Sequence, residues 1–296
     1  MTSMAPSIIQ DWTGHFPSLA GTLLVKRDDL LPFALAGNKY RKLRAELQGV
    51  PTSTAILTVG AATSNHCRTV AMMAAQSGRP AHLVLHASNG IGGAEALALR
   101  MIEDLGASYQ IVDPSEISQV VEDLREDAFA GAHFVAGGCH TSRGVEAYID
   151  AAAELGTQLS RPPDRIVLAS GTGATQAGLA LGCQRQGWPT VVTGVSVARS
   201  AARGSAAVDE AMRWFTDRPP RTPFLAAYTA GGYGARDEQT ESAVATAWSV
   251  GLPVDPVYTG KAFAALLSEP TLCPPGSLTV FWHTGGLFSY LAHTGS

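Results

Sequence analysis

The sequence predicts an α/β protein with mostly parallel sheet and helices on both faces, and three observations predict it. Short runs rich in Val, Ile and Leu recur along the chain. Longer Ala-rich segments with apolar residues at helical spacing lie between them. Gly- and Ser-containing loops follow the apolar runs. Strand, loop and helix in repeated alternation is the pattern of crossover-connected parallel sheet.

The runs at 55–59, 82–85, 166–169, 191–195 and 278–282 read as strands buried on both faces. The segments at 67–77, 94–105, 145–155 and 175–186 read as helices. Loops at 60–66, 137–144, 170–175, 231–234 and 284–286 fall mostly after strands. Open α/β sheets bind ligands at the carboxyl ends of their strands, so these five loops are where chemistry is expected.

Composition narrows the class. The chain has 296 residues, 46% hydrophobic and 16% charged, which fits one large domain or two modest ones with a substantial core. The formal net charge is −4 and no Lys/Arg block occurs, so no nucleic-acid or membrane partner is expected. Neither a secretory leader nor an apolar stretch of membrane-spanning length is apparent. Cys67, Cys139, Cys183 and Cys273 are far apart and form no CxxC pair. A zinc site or disulfide framework is not expected, and a reducing cytoplasm is.

Three segments can carry chemistry. Ser170-Gly171-Thr172-Gly173-Ala174-Thr175 follows a strand and opens a helix. Small residues, free helix-start N–H groups and hydroxyls suit a phosphate, although the loop fits a plain strand–helix turn equally well. Lys39 stands at the entry of a helix marked by Tyr40, Leu43 and Leu47. Burial or neighbouring cations would make its amine a Schiff-base former, while most isolated lysines are solvated surface groups. Thr63-Ser64-Asn65-His66 precedes the helix near Cys67 and can hold a carboxylate, or Ser64 can simply cap that helix.

Taken in order, these segments resemble one family. Lys26-Arg27-Asp28-Asp29-Leu30, Gly37-Asn38-Lys39 with Arg41-Lys42-Leu43, Ser64-Asn65-His66-Cys67-Arg68 and Gly171 to Gly178 match it. So do Gly232-Tyr233-Gly234, Asp255 to Lys261 and His283-Thr284-Gly285-Gly286. Together they are similar to the D-cysteine desulfhydrase and 1-aminocyclopropane-1-carboxylate (ACC) deaminase group of fold type II pyridoxal-phosphate (PLP) enzymes, from about Lys26 onward.

The resemblance implies two open, mostly parallel sheets flanked by helices, with the active site in the cleft between two domains. The large domain would comprise 1–44 plus 153–296 and the smaller one 45–152. Lys39 would carry PLP as a Schiff base and move protons at the substrate carbon. Asn65 would bond the ring hydroxyl, and Thr172, Gly173, Ala174 and Thr175 would bind the phosphate. Ser64, Asn65, His66 and His140 would face the substrate. Tyr233 and Tyr258 would flank the reacting carbon. Thr284 would contact the ring nitrogen, with Thr259 as a competing or more distant contact. A homodimer and a small amino-acid substrate are implied too.

Three positions side with the desulfhydrases: Thr259 where ACC deaminases carry Glu, Thr284 where they carry Leu, and Ser-Asn-His rather than Ser-Asn-Gln at 64–66. A carboxylate beside the pyridine nitrogen deepens the electron sink, whereas a neutral threonine leaves it shallower. The shallower sink suits expulsion of a good β-leaving group. The expected reaction is α,β-elimination on a small D-amino acid, giving a 2-oxo acid and ammonia. ACC deamination or β-replacement on a modified amino acid is the alternative within the fold. A non-catalytic PLP or amino-acid binder is the alternative of another class.

Departures from the family pattern cluster near the expected pocket. The chain is short, and 86–132 is compressed. Gly137 to Gly144 carries His140 and Arg143, and Phe33 and Tyr40 flank the lysine motif. If these residues line the pocket, the substrate is larger or more acidic than cysteine; loop drift explains them equally well. His82 and His86 share a strand face four residues apart, a poor metal spacing, and Cys67 and Cys183 read as packing residues.

Overall fold

The computed structural model describes residues 5–31, 36–87 and 90–294. Phe33 lies outside the described residues. Among them the elements run β1 (Ile9–Asp11), β2 (Thr22–Arg27), α1 (Asn38–Glu46), β3 (Ile56–Ala61), α2 (Asn65–Gln76), β4 (Ala81–His86), α3 (Gly93–Asp104) and β5 (Ser108–Ile111). Then follow α4 (Ile117–Glu126), β6 (His133–Val135), α5 (Ser142–Gln158), β7 (Arg165–Ser170), α6 (Ala174–Arg185) and β8 (Val191–Ser196). The rest is α7 (Ala201–Arg213), β9 (Phe224–Leu225), α8 (Glu238–Ser249), α9 (Thr259–Ser268), β10 (Leu278–His283) and α10 (Leu287–Thr294).

The strands form two sheets. One has six strands in the order β1-β2-β10-β7-β8-β9, the other four in the order β5-β4-β3-β6. Every pairing is parallel except β1 with β2. All five expected strands and all four expected helices are present, with ends shifted by a few residues. The expected domain boundaries, 44/45 and 152/153, fall inside α1 and α5.

Alternation along the central strands builds a core on each face of the larger sheet. Val25, Val167 and Phe281 point to one side, packing with Phe16, Phe263 and Leu266. Ile166, Leu168, Val280 and Trp282 point to the other, against α5, α6 and α7. The smaller sheet repeats the plan. Ile56, Leu83 and Leu85 pack towards α2 and α3, while Leu57 and Val84 pack towards α4. Covered on both faces, these strands need continuous apolar runs, which is why they were legible.

Strand β2 hides behind charge. Lys26 and Arg27 are buried in it. Lys26 Nζ donates to the Ser7 carbonyl at 2.7 Å and forms an ion pair with Glu154. Arg41 of α1 bridges Asp28 at 3.0 Å and Glu154 at 2.8 Å. Asp28 also accepts from the Tyr148 hydroxyl at 2.7 Å and the Trp282 indole at 2.8 Å. A buried charge is tolerated only when paired and hydrogen-bonded, and here α1, α5 and β10 are joined through one such lattice. Helix α10 follows β10 of the larger sheet and packs its Phe288 and Ala292 on Ala98 of α3.

Candidate active site

The carboxyl ends of β3, β4, β7 and β10 face a cavity of about 340 Å³ between the two sheets. Lys39 reaches it as the second residue of α1. The approach is fixed by backbone contact: the Asn38 N–H donates to the Thr284 carbonyl at 2.9 Å. Gly37 has φ +55, and a Cβ there would lie 2.2 Å from the Thr284 oxygen. Only glycine permits that backbone and that approach. Lys39 Nζ donates to Asn38 Oδ1 at 2.8 Å, and Asn38 Nδ2 donates to Thr175 Oγ1 at 3.2 Å. Burial pulls the Lys39 amine down to about 8, with Arg68 adding to the shift and Cys139 and Asp255 opposing it. A neutral amine is thus accessible near physiological pH, as Schiff-base formation requires.

The loop after β7 brings Ser170, Gly171, Thr172, Gly173 and Thr175 to the same cavity. Ala174 does not line it and instead opens α6. The first N–H groups of a helix have no intrahelical acceptor, so this end can hold an anion. Ser170 Oγ is buried with no hydrogen-bond partner among the described residues. Lys42, which sequence reasoning passed over, completes the cradle. It is buried, lines the cavity, and donates to the Gly138 carbonyl at 3.3 Å. Gly138 in turn packs on the loop, since a Cβ at its φ of +67 would lie 2.9 Å from Thr172 Cγ2. Burial, and then the neighbouring Lys39, bring the Lys42 amine down to about 7. Its spacing of three from Lys39 puts both on one helix face, a signal that could have found it.

Across the cavity, α2 begins at Asn65 with Ser64 as its cap: Ser64 Oγ accepts the His66 N–H at 3.1 Å. Capping and cavity lining coexist at Ser64. Asn65 lines the cavity, and its Oδ1 accepts from Arg68 at 2.8 Å. His66, expected to face the substrate, lines the cavity with both ring nitrogens engaged. The Thr58 hydroxyl donates to the Val135 carbonyl at 2.7 Å, so it accepts from His66 Nε2 at 2.7 Å. Nδ1 then accepts from the Cys139 thiol at 3.6 Å. Burial holds this imidazole down to about 3, so it is neutral and structural.

Tyr233 and Tyr258 close the cavity. Their hydroxyls are 2.5 Å apart and their rings meet edge to face. Tyr233 stands at the mouth, 46% exposed, with its hydroxyl turned inward onto Tyr258. Burial raises both phenols, that of Tyr258 well above its ordinary value. Buried Asp255 sets the turn behind them, accepting the N–H groups of Val257, Tyr258 and Thr259, each at 2.9 Å. Lys261 Nζ holds the Tyr233 loop through the carbonyls of Val197, Thr229 and Gly232.

Four expectations need correction. The Thr259 hydroxyl donates to Asp255 Oδ1 at 2.7 Å and does not line the cavity; Thr284 alone of the two threonines does. His140 lies outside the lining, packed against the Trp214 ring, because the chain turns away after Cys139 to enter α5. Arg143 donates to the carbonyls of Ala45 and Gln48 at the end of α1, where its charge meets the negative helix terminus. Tyr40 packs against the core of the smaller sheet. Arg199 and His86, by contrast, line the cavity and were not anticipated.

The arrangement defines a class: an α/β enzyme with a deprotonable lysine, a helix start able to hold an anion and a phenol pair around one cavity. The residues fit PLP, most directly through Ser170 Oγ, buried without a partner among the described residues, and the Lys42 amine at the loop that would take its phosphate. The model for "Pyridoxal-phosphate dependent enzyme" matches residues 9–285, and the chain belongs to that family. It is 32% identical to the D-cysteine desulfhydrase of Yersinia pestis (strain Pestoides F) over 302 aligned positions, covering 92% of this chain and 89% of that protein. The crystal structure of an ACC deaminase homologue superposes with a TM-score of 0.86 at 27% identity, covering 98% of this chain and 92% of that one. An L-serine ammonia-lyase from Rhizomucor miehei shares the fold, with a TM-score of 0.75 at 17% identity over 99% of this chain and 97% of that one. The cofactor is PLP, and the chain is a PLP-dependent enzyme of fold type II, of the lyase and deaminase kind.

Proposed function

We propose that the chain is a lyase performing α,β-elimination on a small amino acid of D configuration, with D-cysteine as reference substrate. One observation carries the reading: the Tyr233–Tyr258 hydroxyl pair shares a cavity with Lys39 and with neutral Thr284, and no carboxylate side chain lines that cavity among the described residues. Bound PLP supplies an electron sink at the substrate α-carbon. Lys39, in its neutral form, takes the α-proton, and the phenol pair holds a proton for the departing β-group. Ser64 receives the substrate carboxylate, Asn65 the ring hydroxyl, Thr284 the ring nitrogen, and Thr172 to Thr175 with Lys42 the phosphate.

The D configuration rests on the relative named for D-cysteine. Two domains, a cytoplasmic location and a homodimer belong to the same proposal. The domain limits are best moved to the end of α1 and the start of α5, since a helix interior is a poor boundary and α5 packs in the core of the larger sheet. Among the described residues no helix is long and apolar enough to cross a membrane, and no group of three or more His, Cys, Asp or Glu residues could hold a metal.

The test is release of pyruvate from D-cysteine, L-cysteine and β-chloroalanine of both hands, and of 2-oxobutyrate from ACC, with the visible spectrum recorded before and after Lys39→Ala. Pyruvate and sulfide from D-cysteine, and loss of the bound-cofactor absorbance in the variant, are expected. Turnover of ACC alone would overturn elimination.

A further inference from the structure

A second chamber of about 480 Å³ adjoins the first, and Ala61, His86 and Tyr233 belong to the walls of both. Beyond cysteine's α-carbon stand only two heavy atoms, a methylene and a thiol, too few to occupy a further volume of ligand size. The chamber lies between the carboxyl ends of β3 and β4, the Tyr233 loop and α10, which supplies Phe288, Ser289 and Ala292. Its floor is small and apolar at Ala61, Ala62 and Ala87.

The polar lining is specific in sign. Thr63, Ser289 and Glu95 face the chamber, and no lysine or arginine does so among the described residues. His86 closes β4 at the junction, and its Nδ1 is buried without a hydrogen-bond partner among those residues. A buried ring nitrogen left unmade costs free energy unless a ligand or water completes it. A carboxylate end group entering here would meet Glu95 and, among the described residues, no lysine or arginine on the chamber wall. An ammonium, amide or hydroxyl end group would find acceptors.

We infer that this chamber is a side-chain subsite, and that the enzyme's substrates are alanines bearing an extended β-thioether or β-ether substituent whose far end is a neutral or cationic hydrogen-bond donor received beside His86. The inference rests on the elimination reading and names its substrate class. It replaces the expectation of a more acidic substrate. In the reaction the Cα–H and Cβ–S bonds break and the thiol leaves with a proton. One water then converts the remaining enamine to pyruvate and ammonia, with no oxidant or reductant consumed.

The test uses the PLP-loaded enzyme with cysteine, β-chloroalanine, S-(2-aminoethyl)-cysteine and S-carboxymethyl-cysteine, each in both hands. Turnover is read as pyruvate, and binding separately from the cofactor absorbance. The aminoethyl substrate is expected to exceed the carboxymethyl one at least tenfold in kcat/KM. Ala235→Phe, which fills the chamber from its half-buried rim, and His86→Leu, which removes the ring nitrogens, are each expected to cut that preference at least fivefold. β-Chloroalanine turnover should stay within about threefold in Ala235→Phe. Melting temperature and bound PLP identify a variant that has failed to fold, and the other then decides. Equal turnover of the aminoethyl and carboxymethyl substrates, or equal losses on every substrate in the variants, overturns the subsite. Selective binding of the aminoethyl compound without turnover of any compound keeps the subsite and overturns elimination.

Discussion

The backbone N–H of Asn38 donates to the carbonyl oxygen of Thr284 at 2.9 Å, so the residue before Lys39 is fastened to the end of β10. Gly37 makes the bond possible. Gly37→Ala combines a left-handed backbone with a Cβ 2.2 Å from that oxygen. We expect a stability loss of more than about 3 kcal/mol and release of PLP on dialysis. Denaturant unfolding and cofactor absorbance measure both. A variant as stable as the parent and fully loaded would refute the strap.

Lys42→Met should separate phosphate binding from ring binding. A charge-assisted hydrogen bond contributes roughly 1.5–3 kcal/mol, so PLP affinity should fall roughly 10–100-fold. Affinity for pyridoxal lacking the phosphate should change by less than about threefold. Equal losses for the two ligands would place Lys42 elsewhere in the mechanism.

Loading of the apoenzyme should follow the Lys39 amine. Only the neutral amine attacks the aldehyde, and burial brings this group to about 8. The rate of PLP capture should therefore rise between pH 7 and 9 with a midpoint near 8. Stopped-flow absorbance gives the profile, and a midpoint near the ordinary lysine value would show that burial does not act.

His66 should make the fold acid-sensitive. Its pKa is about 3 in the folded chain against 6.5 ordinarily, so the unfolded chain binds the extra proton between those values. The sign of linkage is then fixed: the stabilisation is complete above pH 6.5 and is lost as pH falls towards 3. The loss is on the order of a few kcal/mol. Urea midpoints from pH 7 to 4 should fall less steeply in His66→Gln than in the parent.

Tyr233→Phe and Tyr258→Phe should each lower kcat by about 10²–10³ if the pair handles a proton. Because the two hydroxyls share one hydrogen bond, the double variant should be little worse than the poorer single one. Fully multiplicative losses would mean that the phenols act independently.

Legibility followed burial chemistry. Strands covered on both faces, such as β7 and β10, announced themselves as continuous apolar runs. Strand β2 did not, because Lys26 and Arg27 are buried in it, Lys26 paired with distant Glu154 and Arg27 with Asp29. Lys39, Ser64, Asn65, the loop from Thr172, the two tyrosines and Thr284 converge on one cavity as their ordered motifs implied. Thr259 and His140 did not, because side-chain direction is decided by local partners: Asp255 for one, Trp214 for the other. Lys42 looked like one more helix-surface cation, and only its spacing of three from Lys39 marks it out.

For enzyme redesign, the charge lattice behind Lys39 divides the molecule into ground to leave alone and ground to vary. Removing one member of a buried ion pair strands its partner and typically costs about 3–5 kcal/mol, a large part of a domain's total stability. Lys26, Asp28, Arg41 and Glu154 should therefore stay fixed in any combinatorial library. Half-buried Ala235, at the chamber rim and apart from that lattice, offers a position where substrate scope can be diversified while the foundation of Lys39 remains intact.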